Sequence, residues 1–256
     1  MDSAKITAIV IAQNEERMIA NCLEALKWCD ETLVVDSGST DRTAELASMQ
    51  GIRVIPASSR QSFAELRNLG LKHAKHPWIL YIDADERVTP ALMHDIRHVV
   101  NGPGQYSAYR VGRNNIHYGR WMKAGGWQND TLVRLFKKDD LKTWEGRVHE
   151  HAVIEGDVSD LIEPLIHLTH RNMADGIRKS LQWTDIEAQL LLEAKHPQMT
   201  ILRLIKVTVW EFFHRVIVLK AYKDGMEGLV EAMTQSWNRF LVYERLWELQ
   251  RIPSLE

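Results

Sequence analysis

The amino-acid sequence predicts an α/β protein with a doubly wound, mostly parallel sheet and a helical extension at the C-terminal end. Three observations support this fold class. The first hundred residues alternate four apolar, strand-like runs with four amphipathic, helix-like segments, the pattern of parallel strands joined by helices. The apolar runs are continuous rather than alternating, as in strands buried on both faces. From about residue 173 the sequence is helical in pattern.

The four strand–helix units can be placed from periodicity and capping residues. The predicted strands are residues 6–12, 32–35, 52–55 and 78–82. The first predicted helix begins near residue 18 and continues through Cys29. The other three are predicted from residues 39–41 to 51, at 62–73 and at 90–100. Ser39 or Thr40 can cap the second helix, with Asp41 at the positive end of its dipole. Thr89 can cap the fourth, with Pro90 at its first position.

The pattern changes after a turn signal at residues 101–104. Short alternating segments at 106–111 and 132–136 predict an irregular, loop-rich region. Three helices are predicted beyond it, at residues 173–195, 199–222 and 225–250.

Composition excludes some classes of function. A net charge of −2 argues against a nucleic-acid-binding protein, which would need a strongly basic face. No stretch has the 18 or so uncharged apolar residues of a membrane span, and the N-terminus lacks the pattern of a signal peptide. Cys22 and Cys29 are predicted to lie on one helix, too far apart to form a disulfide. We therefore expect a cytoplasmic protein.

Polar side chains follow three of the four predicted strands. Asn14 and Glu15 follow the first strand, Asp36 the second, and Asp83 and Asp85 the fourth. Ligands of open parallel sheets bind at the carboxyl ends of the strands. Each residue alone could simply cap a helix or lie in a solvated loop, but together they predict a binding site.

The strongest of these signals is the segment Asp83-Ala84-Asp85-Glu86. Two carboxylates separated by one small residue can bind a hard divalent cation, Mg²⁺ or Mn²⁺, together with a nucleotide ribose. A helix-capping loop is the competing interpretation, since a helix begins a few residues later.

Several motifs together resemble the family 2 glycosyltransferases of GT-A fold, and within them a subgroup that includes the lipopolysaccharide core β-1,4-glucosyltransferases. The motifs are at residues 9–16, 34–43, 80–88, 119–121, 125–127, 134–136 and 148–150. The resemblance covers nearly the whole chain. It implies a Rossmann-like GT-A catalytic domain at residues 1–172, with a nucleotide-sugar-binding half at 1–100 and an acceptor half at 101–172. Residues 173–256 would form the helical extension.

The resemblance also implies roles for residues of the donor site. Asp36 would accept a hydrogen bond from the uracil ring, Asp83 would hold the ribose, and Asp85 would bind the metal that bridges the diphosphate. Further residues expected to line the nucleotide-sugar site are Ala12, Asn14, Glu15, Arg67, Asn68, Ala84 and Arg134. Arg134 is favoured because a guanidinium can bind a diphosphate in a bidentate manner. For Arg67, a solvated helix charge is an equally good interpretation.

An inverting transfer needs a base on the acceptor side. Asp130 is the candidate, although Gln128-Asn129 precedes it where relatives have an aromatic residue or proline, and Glu150 is the rival. Trp121 and Trp127, flanked by glycines, predict a mobile acceptor loop with stacking surfaces for a sugar. His149 could contact the acceptor, a phosphate or the metal, although an exposed or structural role is the simpler interpretation for each of the histidines.

Residues 195–223 contain six Lys or Arg and one acid, with broad apolar character. Such a helix can lie in an anionic membrane interface, or it can pack on the catalytic domain or on a second copy of the chain. The resemblance to enzymes with lipid-linked acceptors favours peripheral contact with the cytoplasmic face of the inner membrane.

The predicted function is therefore transfer of a sugar, with glucose from UDP-glucose as the best guess, to a lipid-linked or surface glycan such as the lipopolysaccharide inner core. The alternatives are a nucleotidyltransferase and a non-catalytic sugar-binding scaffold. The first would carry a Gly-rich phosphate loop after the first strand, where this chain has Gln13-Asn14-Glu15-Glu16. The second would have lost the acidic residues, which are intact.

Overall fold

The computed structural model describes residues 3–146, 150–169 and 173–251. The chain divides into two compact units. The first unit comprises Met1–Asn114 and Asn129–His167, and the second comprises Asn115–Gln128 and Leu168–Glu256. The division of roles predicted for residues 1–172 and 173–256 stays a prediction.

The elements follow one another in an α/β order that gives way to strands and then to helices. In chain order they are β1 (Ile6–Ala12), α1 (Ile19–Glu24), β2 (Glu31–Asp36), α2 (Thr43–Met49), β3 (Arg53–Pro56), α3 (Phe63–His73), β4 (Trp78–Asp83), β5 (Glu86–Arg87), α4 (Pro90–Asn101), β6 (Ala108–His117), β7 (Arg120–Trp121), β8 (Thr131–Lys137), β9 (Leu141–Glu145), β10 (His151–Ile154), β11 (Val158–Asp160), β12 (Leu165–His167), α5 (Met173–Glu193), α6 (Ile201–Phe213) and α7 (Gly225–Arg251).

The main sheet has the strand order β3-β2-β1-β4-β8-β6-β12-β5, and β7 and β11 also pair with β6. Strands β3, β2, β1 and β4 are parallel to one another, whereas β8 is antiparallel to both β4 and β6. Strands β9 and β10 form a separate antiparallel pair. The predicted α/β fold class is confirmed, with antiparallel strands completing one side of the sheet.

Both faces of the parallel strands are buried. Every residue of β1 is buried, and its side chains alternate between two apolar clusters. One cluster includes buried residues of α1 and α4, and the other includes residues of α3. In α3, a Cβ at Gly70 would lie 2.5 Å from Ile9 Cγ2, so this helix needs glycine to approach the sheet closely.

The predicted cap of α4 is confirmed, that of α2 is corrected, and α3 begins with a capping box. The Ser62 hydroxyl accepts from the Glu65 N–H in a capping box at α3, and Thr89 caps α4 with Pro90 at its start. However, α2 begins at Thr43, with no side-chain cap. The predicted caps Ser39 and Thr40 instead bond to the loop after β1, as described below.

The region at residues 101–172 is more regular than predicted. It contains the seven strands β6 to β12 instead of mainly loops. Many residues of these strands are only half-buried, and β6 carries Arg, Asn and His residues within its run. The apolar signal of a buried strand is therefore weak in this region.

The second unit contains the three predicted helices, but the middle one is interrupted. After α6 the chain forms a π-helical turn at His214–Val218 and a 3₁₀ turn at Ala221–Asp224 before α7 begins. Among the described residues, no helix is both long enough and apolar enough to cross a membrane. In the first unit α1 ends at Glu24, so Cys29 lies beyond the helix predicted to carry it, and both cysteines are free thiols.

Candidate active site

Parallel register brings the polar ends of three strands to one edge of the sheet. Ala12 pairs with Asp36 across β1 and β2, and Ile11 pairs with Asp83 across β1 and β4. The strand ends named from the sequence therefore lie side by side. The apolar runs of these strands pair in parallel register in the core. The polar residues that follow the runs are therefore aligned at the same edge of the sheet.

The loops after β1 and β2 are tied together by hydrogen bonds. The Asn14 N–H donates to Ser39 Oγ (2.9 Å), and Asn14 Oδ1 accepts from the Thr40 N–H (2.8 Å). The Glu15 N–H donates to Thr43 Oγ1 at 2.7 Å. Asn14 has a φ of +56°, in the left-handed region that asparagine tolerates better than most residues. Asn14 and Glu15 are thus fixed at the sheet edge.

Asp36 is a buried carboxylate next to these loops. Its Oδ2 accepts from the Ser39 N–H at 3.2 Å, while Oδ1 has no hydrogen-bond partner in the described part of the chain. A buried acceptor without a partner costs about 1–3 kcal/mol. Such an atom is suited to receive a donor from a ligand.

The centre of the site is an ion-pair network around Arg134, whose side chain is almost fully buried. Arg134 Nη2 contacts both Asp83 Oδ2 and Glu86 Oε1, the latter at 2.6 Å. The Asp83 N–H also donates to Glu86 Oε2 at 3.0 Å. Two carboxylates this close would repel each other, and the buried guanidinium between them offsets that repulsion.

The network shifts the pKa values of two of its members, Asp83 and Arg134. Burial raises the pKa of Asp83, but the charges of Arg134 and then Arg67 outweigh it and hold the pKa of this carboxyl below its usual range. Burial lowers the pKa of Arg134, yet the facing Asp83 and Glu86 carboxylates outweigh it and raise that pKa further. Asp83 is therefore an anion at neutral pH, able to accept hydrogen bonds and unsuited to act as a base.

A second arginine connects this centre to the candidate base Asp130. Arg113 Nη1 lies 3.4 Å from Glu86 Oε1, and Arg113 Nη2 lies 2.8 Å from Asp130 Oδ2. The Arg113 N–H also donates to the Asp130 carbonyl oxygen at 2.8 Å. These contacts between β6 and the residue before β8 fix the position of Asp130.

A third arginine connects Asp83 to the rival base Glu150. Arg67 Nη2 lies 3.7 Å from Asp83 Oδ1 and 3.2 Å from Glu150 Oε1. The guanidinium stacks over Trp144, with 4.7 Å from Cζ to the ring centroid, and its Nη1 has no hydrogen-bond partner in the described residues. Arg67 is thus a buried member of the site rather than a solvated helix charge.

Asn68, the neighbour of Arg67, makes contacts with strand β9. Its amide nitrogen donates to the Trp144 carbonyl oxygen and its Oδ1 accepts from the Trp144 N–H, both at 2.9 Å. The structure thus gives Asn68 the role of holding β9 in place. Its contact with a nucleotide stays a prediction.

Asp85 lies in the turn between β4 and β5 and is largely buried. Its Oδ2 is 3.7 Å from His167 Nε2 on β12. No group of three or more His, Cys, Asp or Glu residues in the described chain could hold a metal. A carboxylate oxygen such as that of Asp85 is a ligand suited to Mg²⁺ or Mn²⁺, and Mg²⁺ takes its remaining ligands from water and from substrate phosphates. Ala84, between the two aspartates, is buried.

The two candidate acceptor tryptophans belong to the second unit. Trp121 is exposed, with Lys123 Nζ 4.4 Å from its ring centroid, and Trp127 packs 4.3 Å from the His117 ring. The segment between them is anchored, contrary to the expected mobile loop, because the Asp224 carboxylate accepts from the N–H groups of Lys123 and Ala124. His149 lies outside the described residues.

Two residues of the network were not identified from the sequence as site residues. The sequence motif ends at Glu86 but predicts no role for it, and no motif includes Arg113. Glu86 stands next to the two aspartates and is fully buried, which is unusual for a carboxylate without a charged partner. No local signal identifies Arg113, because its partners are 27 and 17 residues away in sequence.

Three comparisons place the chain among known proteins. Residues 7–151 match the model of the family described as "Glycosyl transferase family 2". The "Lipopolysaccharide core biosynthesis glycosyltransferase LpsC" of Rhizobium meliloti is 28% identical over 95% of this chain and 92% of its own length. An uncharacterized glycosyltransferase of Rickettsia bellii is 27% identical over 96% and 87%, respectively.

Among solved structures, the chain is similar to glucosyl-3-phosphoglycerate synthase from Mycobacterium tuberculosis in complex with Mn²⁺, UDP and phosphoglyceric acid. The TM-score is 0.50 at 16% identity, covering 76% of this chain and 80% of that chain. At this identity the likeness concerns the fold alone, which is that of the GT-A glycosyltransferases.

Proposed function

Because the chain belongs to glycosyl transferase family 2, we propose that it is an inverting, metal-dependent transferase that moves a sugar from a nucleotide sugar to a glycan. The observation that carries this proposal is the network of Asp83, Glu86, Arg134 and Arg113 at the carboxyl edge of the sheet. It connects the ends of the parallel strands to the candidate base Asp130.

The proposed donor site uses the polar groups at the sheet edge. The unused Asp36 Oδ1 would accept the uracil N–H, and the Asp83 carboxylate would accept the ribose hydroxyls. Other residues lining the nucleotide sugar would be Ala12, Asn14, Glu15, Arg67, Asn68, Ala84 and Arg134. Arg67 has an Nη1 group free of hydrogen bonds in the described chain, available for a base or phosphate oxygen.

Asp85 and His167 would hold Mg²⁺ or Mn²⁺, which would neutralise the charge that develops on the departing diphosphate. The site's own residues would then position the donor. Asp85 is nearly buried, so its carboxylate is desolvated and interacts strongly with a cation.

The proposed reaction is a direct displacement. The acceptor hydroxyl oxygen forms a bond to the anomeric carbon while the bond from that carbon to the diphosphate oxygen breaks, with its electron pair leaving on the diphosphate. Asp130 takes the hydroxyl proton, and Glu150 is the alternative. Both carboxylates are partly buried and each is oriented by one arginine, Arg113 or Arg67.

For the substrates, we propose UDP-glucose as donor and a lipid-linked or cell-surface glycan, such as the lipopolysaccharide inner core, as acceptor. The similarity to LpsC over almost the whole of both chains supports this acceptor class. The fold shared with an enzyme solved in complex with UDP and Mn²⁺ agrees with this class of donor. Trp121, Trp127 and His149 would contact the acceptor.

We also place the protein in the cytoplasm, at the inner face of the membrane. Six of the nine large apolar residues of α6 are 46–76% exposed, namely Ile201, Leu202, Ile205, Val209, Trp210 and Phe213. The surrounding segment carries a local charge of +5. An apolar surface edged with basic residues fits an anionic lipid interface.

The reaction is tested by incubating the protein with UDP-glucose, Mn²⁺ and a glucose-deficient lipopolysaccharide acceptor. The proposal predicts release of UDP and a product with a β-glucosidic linkage by NMR. Release of pyrophosphate would indicate a nucleotidyltransferase, and an α-linkage would exclude inversion. Asp130→Asn should lower kcat by about 10²–10⁴-fold, whereas Glu150→Gln should do so only if Glu150 is the base.

The membrane contact is tested by flotation with vesicles of phosphatidylglycerol and phosphatidylethanolamine. The wild-type protein should float with anionic vesicles, and Leu202→Asp with Trp210→Asp should abolish flotation. Met49→Asp, an exposed apolar position of the first unit, is the matched control. Flotation that the α6 substitutions leave unchanged would contradict the proposal. If light scattering showed that the wild-type protein is a dimer and that these substitutions dissociate it, α6 would be a dimer interface and the proposal would also be wrong.

A further inference from the structure

The three helices of the second unit enclose a pocket of about 310 Å³ that is lined mostly by polar side chains. Trp183 and Glu187 of α5, Glu211 of α6, and Gln235, Asn238 and Arg239 of α7 line its wall. The lining residues of α5 and of α7 recur at helical spacing, so one stripe of each helix is directed to the pocket. All of them belong to the second unit, whereas Asp36, Asp83 and Asp85 belong to the first.

A polar stripe between packed helices departs from the usual pattern. Helices of a bundle face one another with apolar residues, and further along the same helices they do so. There Ala188 of α5 and Leu246 of α7 meet the buried Met199 in an apolar cluster. The facing surfaces of α5 and α7 thus change from apolar to polar along their length, and a polar surface packs less favourably between helices. Residues that break the usual packing pattern in this way are expected at functional sites.

Some polar groups of the pocket are engaged by neighbours and others are not. Glu211 pairs with Arg215 at 2.7 Å and with Arg239 at 3.8 Å, and Gln235 donates to Glu231 at 2.8 Å. Within the described residues, the Glu187 carboxylate and the Asn238 amide make no hydrogen bond or ion pair. The pocket thus offers an acceptor on one helix and a combined donor and acceptor on the facing one.

We propose that this pocket binds a neutral hexose unit of a glycan. Trp183 offers an indole to the apolar C–H face of a pyranose ring, and the ring hydroxyls can donate to Glu187 and exchange hydrogen bonds with Asn238. Glu211 is compensated by Arg215 and Arg239, whereas the Glu187 carboxylate has no ion pair within the described residues, and its negative charge disfavours phosphorylated or acidic sugars. The volume lies at the lower end of small-molecule sites, which suits a single sugar unit.

This binding is independent of the transfer reaction, because it needs neither nucleotide nor metal. The test is saturation-transfer NMR and calorimetry on the full-length protein with the methyl glycosides of glucose, galactose and mannose, in the absence and presence of UDP and Mn²⁺. At least one neutral glycoside should bind, and UDP should not displace it.

Three variants locate the binding. Trp183→Ala and Asn238→Ala should each weaken binding by about tenfold or more, whereas Trp247→Ala, at an exposed tryptophan of α7 outside the pocket, should leave it unchanged. Asn238→Ala keeps the test valid should Trp183→Ala fail to fold. The proposal is overturned if no neutral glycoside binds, if UDP competes, if glucose 6-phosphate binds more tightly than methyl glucoside, or if Asn238→Ala binds like the wild type.

Discussion

The two units bury their apolar residues to very different extents. In the first unit, β1 is buried over its whole length and two large apolar clusters cover both faces of the sheet. In the second unit, the apolar cluster has three buried members, and none of the residues of α6, all of them described, is buried. The first unit therefore holds the larger buried apolar core of the described chain, whereas the second leaves apolar side chains of α6 exposed.

Charged residues differ between the units in the same way. The first unit concentrates buried ion pairs at the carboxyl edge of the sheet, around Arg134. In the described part of the second unit, the ion pairs of Arg245 with Asp185 and of Arg120 with Glu227 lie near the surface. A buried ion-pair network at one edge of a well-packed core indicates a preorganised site. If one member moved away, it would leave a buried charge without its partner, which is energetically costly.

The largest effect on stability is expected from Arg134→Met. Removing this guanidinium leaves Asp83 and Glu86 facing each other in a buried site, which should cost about 3–5 kcal/mol of unfolding free energy in urea denaturation. The matched control is Arg110→Met, whose ion pair with Asp160 is exposed and should be worth at most about 1 kcal/mol. Equal stability of the two variants would contradict the central place of Arg134.

The next effect compares the two apolar surfaces directly. Leu23 in α1 is 1% exposed and Leu202 in α6 is 76% exposed. Leu23→Ala should lower the unfolding free energy by about 2–5 kcal/mol, and Leu202→Ala should change it by no more than about 0.5 kcal/mol. A large loss at Leu202 in the isolated protein would mean that α6 is already covered in solution.

A smaller effect is expected at Asp224, which holds the segment with Trp121 and Trp127. Asp224→Ala should cost about 1–3 kcal/mol, because the N–H groups of Lys123 and Ala124 lose their acceptor. Amide hydrogen exchange at these two residues should accelerate. Asp185→Ala, which removes an exposed ion pair of the same unit, is the control and should leave both exchange rates unchanged. Unchanged exchange rates in Asp224→Ala would mean that Asp224 does not anchor the segment.

The smallest effect concerns acid stability. The pKa of Asp83 is lower in the folded protein than the ordinary value of about 3.9. Its charge therefore stabilises the fold above about pH 4, and this contribution is lost as the pH falls through the folded-state pKa. The unfolding free energy of Asp83→Asn should fall less steeply below pH 4 than that of the wild type. Parallel curves would refute this assignment.

The sequence predicted the first unit well because burial on both faces leaves an unbroken apolar run. β1 was located to the residue, and β4 to within one residue at its end. β6 was only partly recognised, because its Arg, Asn and His residues hide the strand pattern. The start of α2 was misplaced since Ser39 and Thr40 bond to Asn14 instead of capping it, a contact between loops 25 residues apart.

The carboxylates of the candidate site could be predicted from the sequence, but the ion pairs that connect them could not. Asp36, Asp83 and Asp85 follow strands and could be recognised locally. The pairing of Arg113 with both Glu86 and Asp130 arises from the antiparallel strands β6 and β8. That pairing depends on tertiary structure, which no short motif encodes.

The central claim, that the carboxylates of the first unit bind a nucleotide sugar through a metal, is tested most directly by calorimetric titration with UDP-glucose. The account predicts binding with Mn²⁺ that is lost in EDTA and in Asp85→Asn, yet retained in Asp130→Asn, because Asp130 acts on the acceptor. Binding that is indifferent to Mn²⁺ and unchanged in Asp85→Asn would contradict the account.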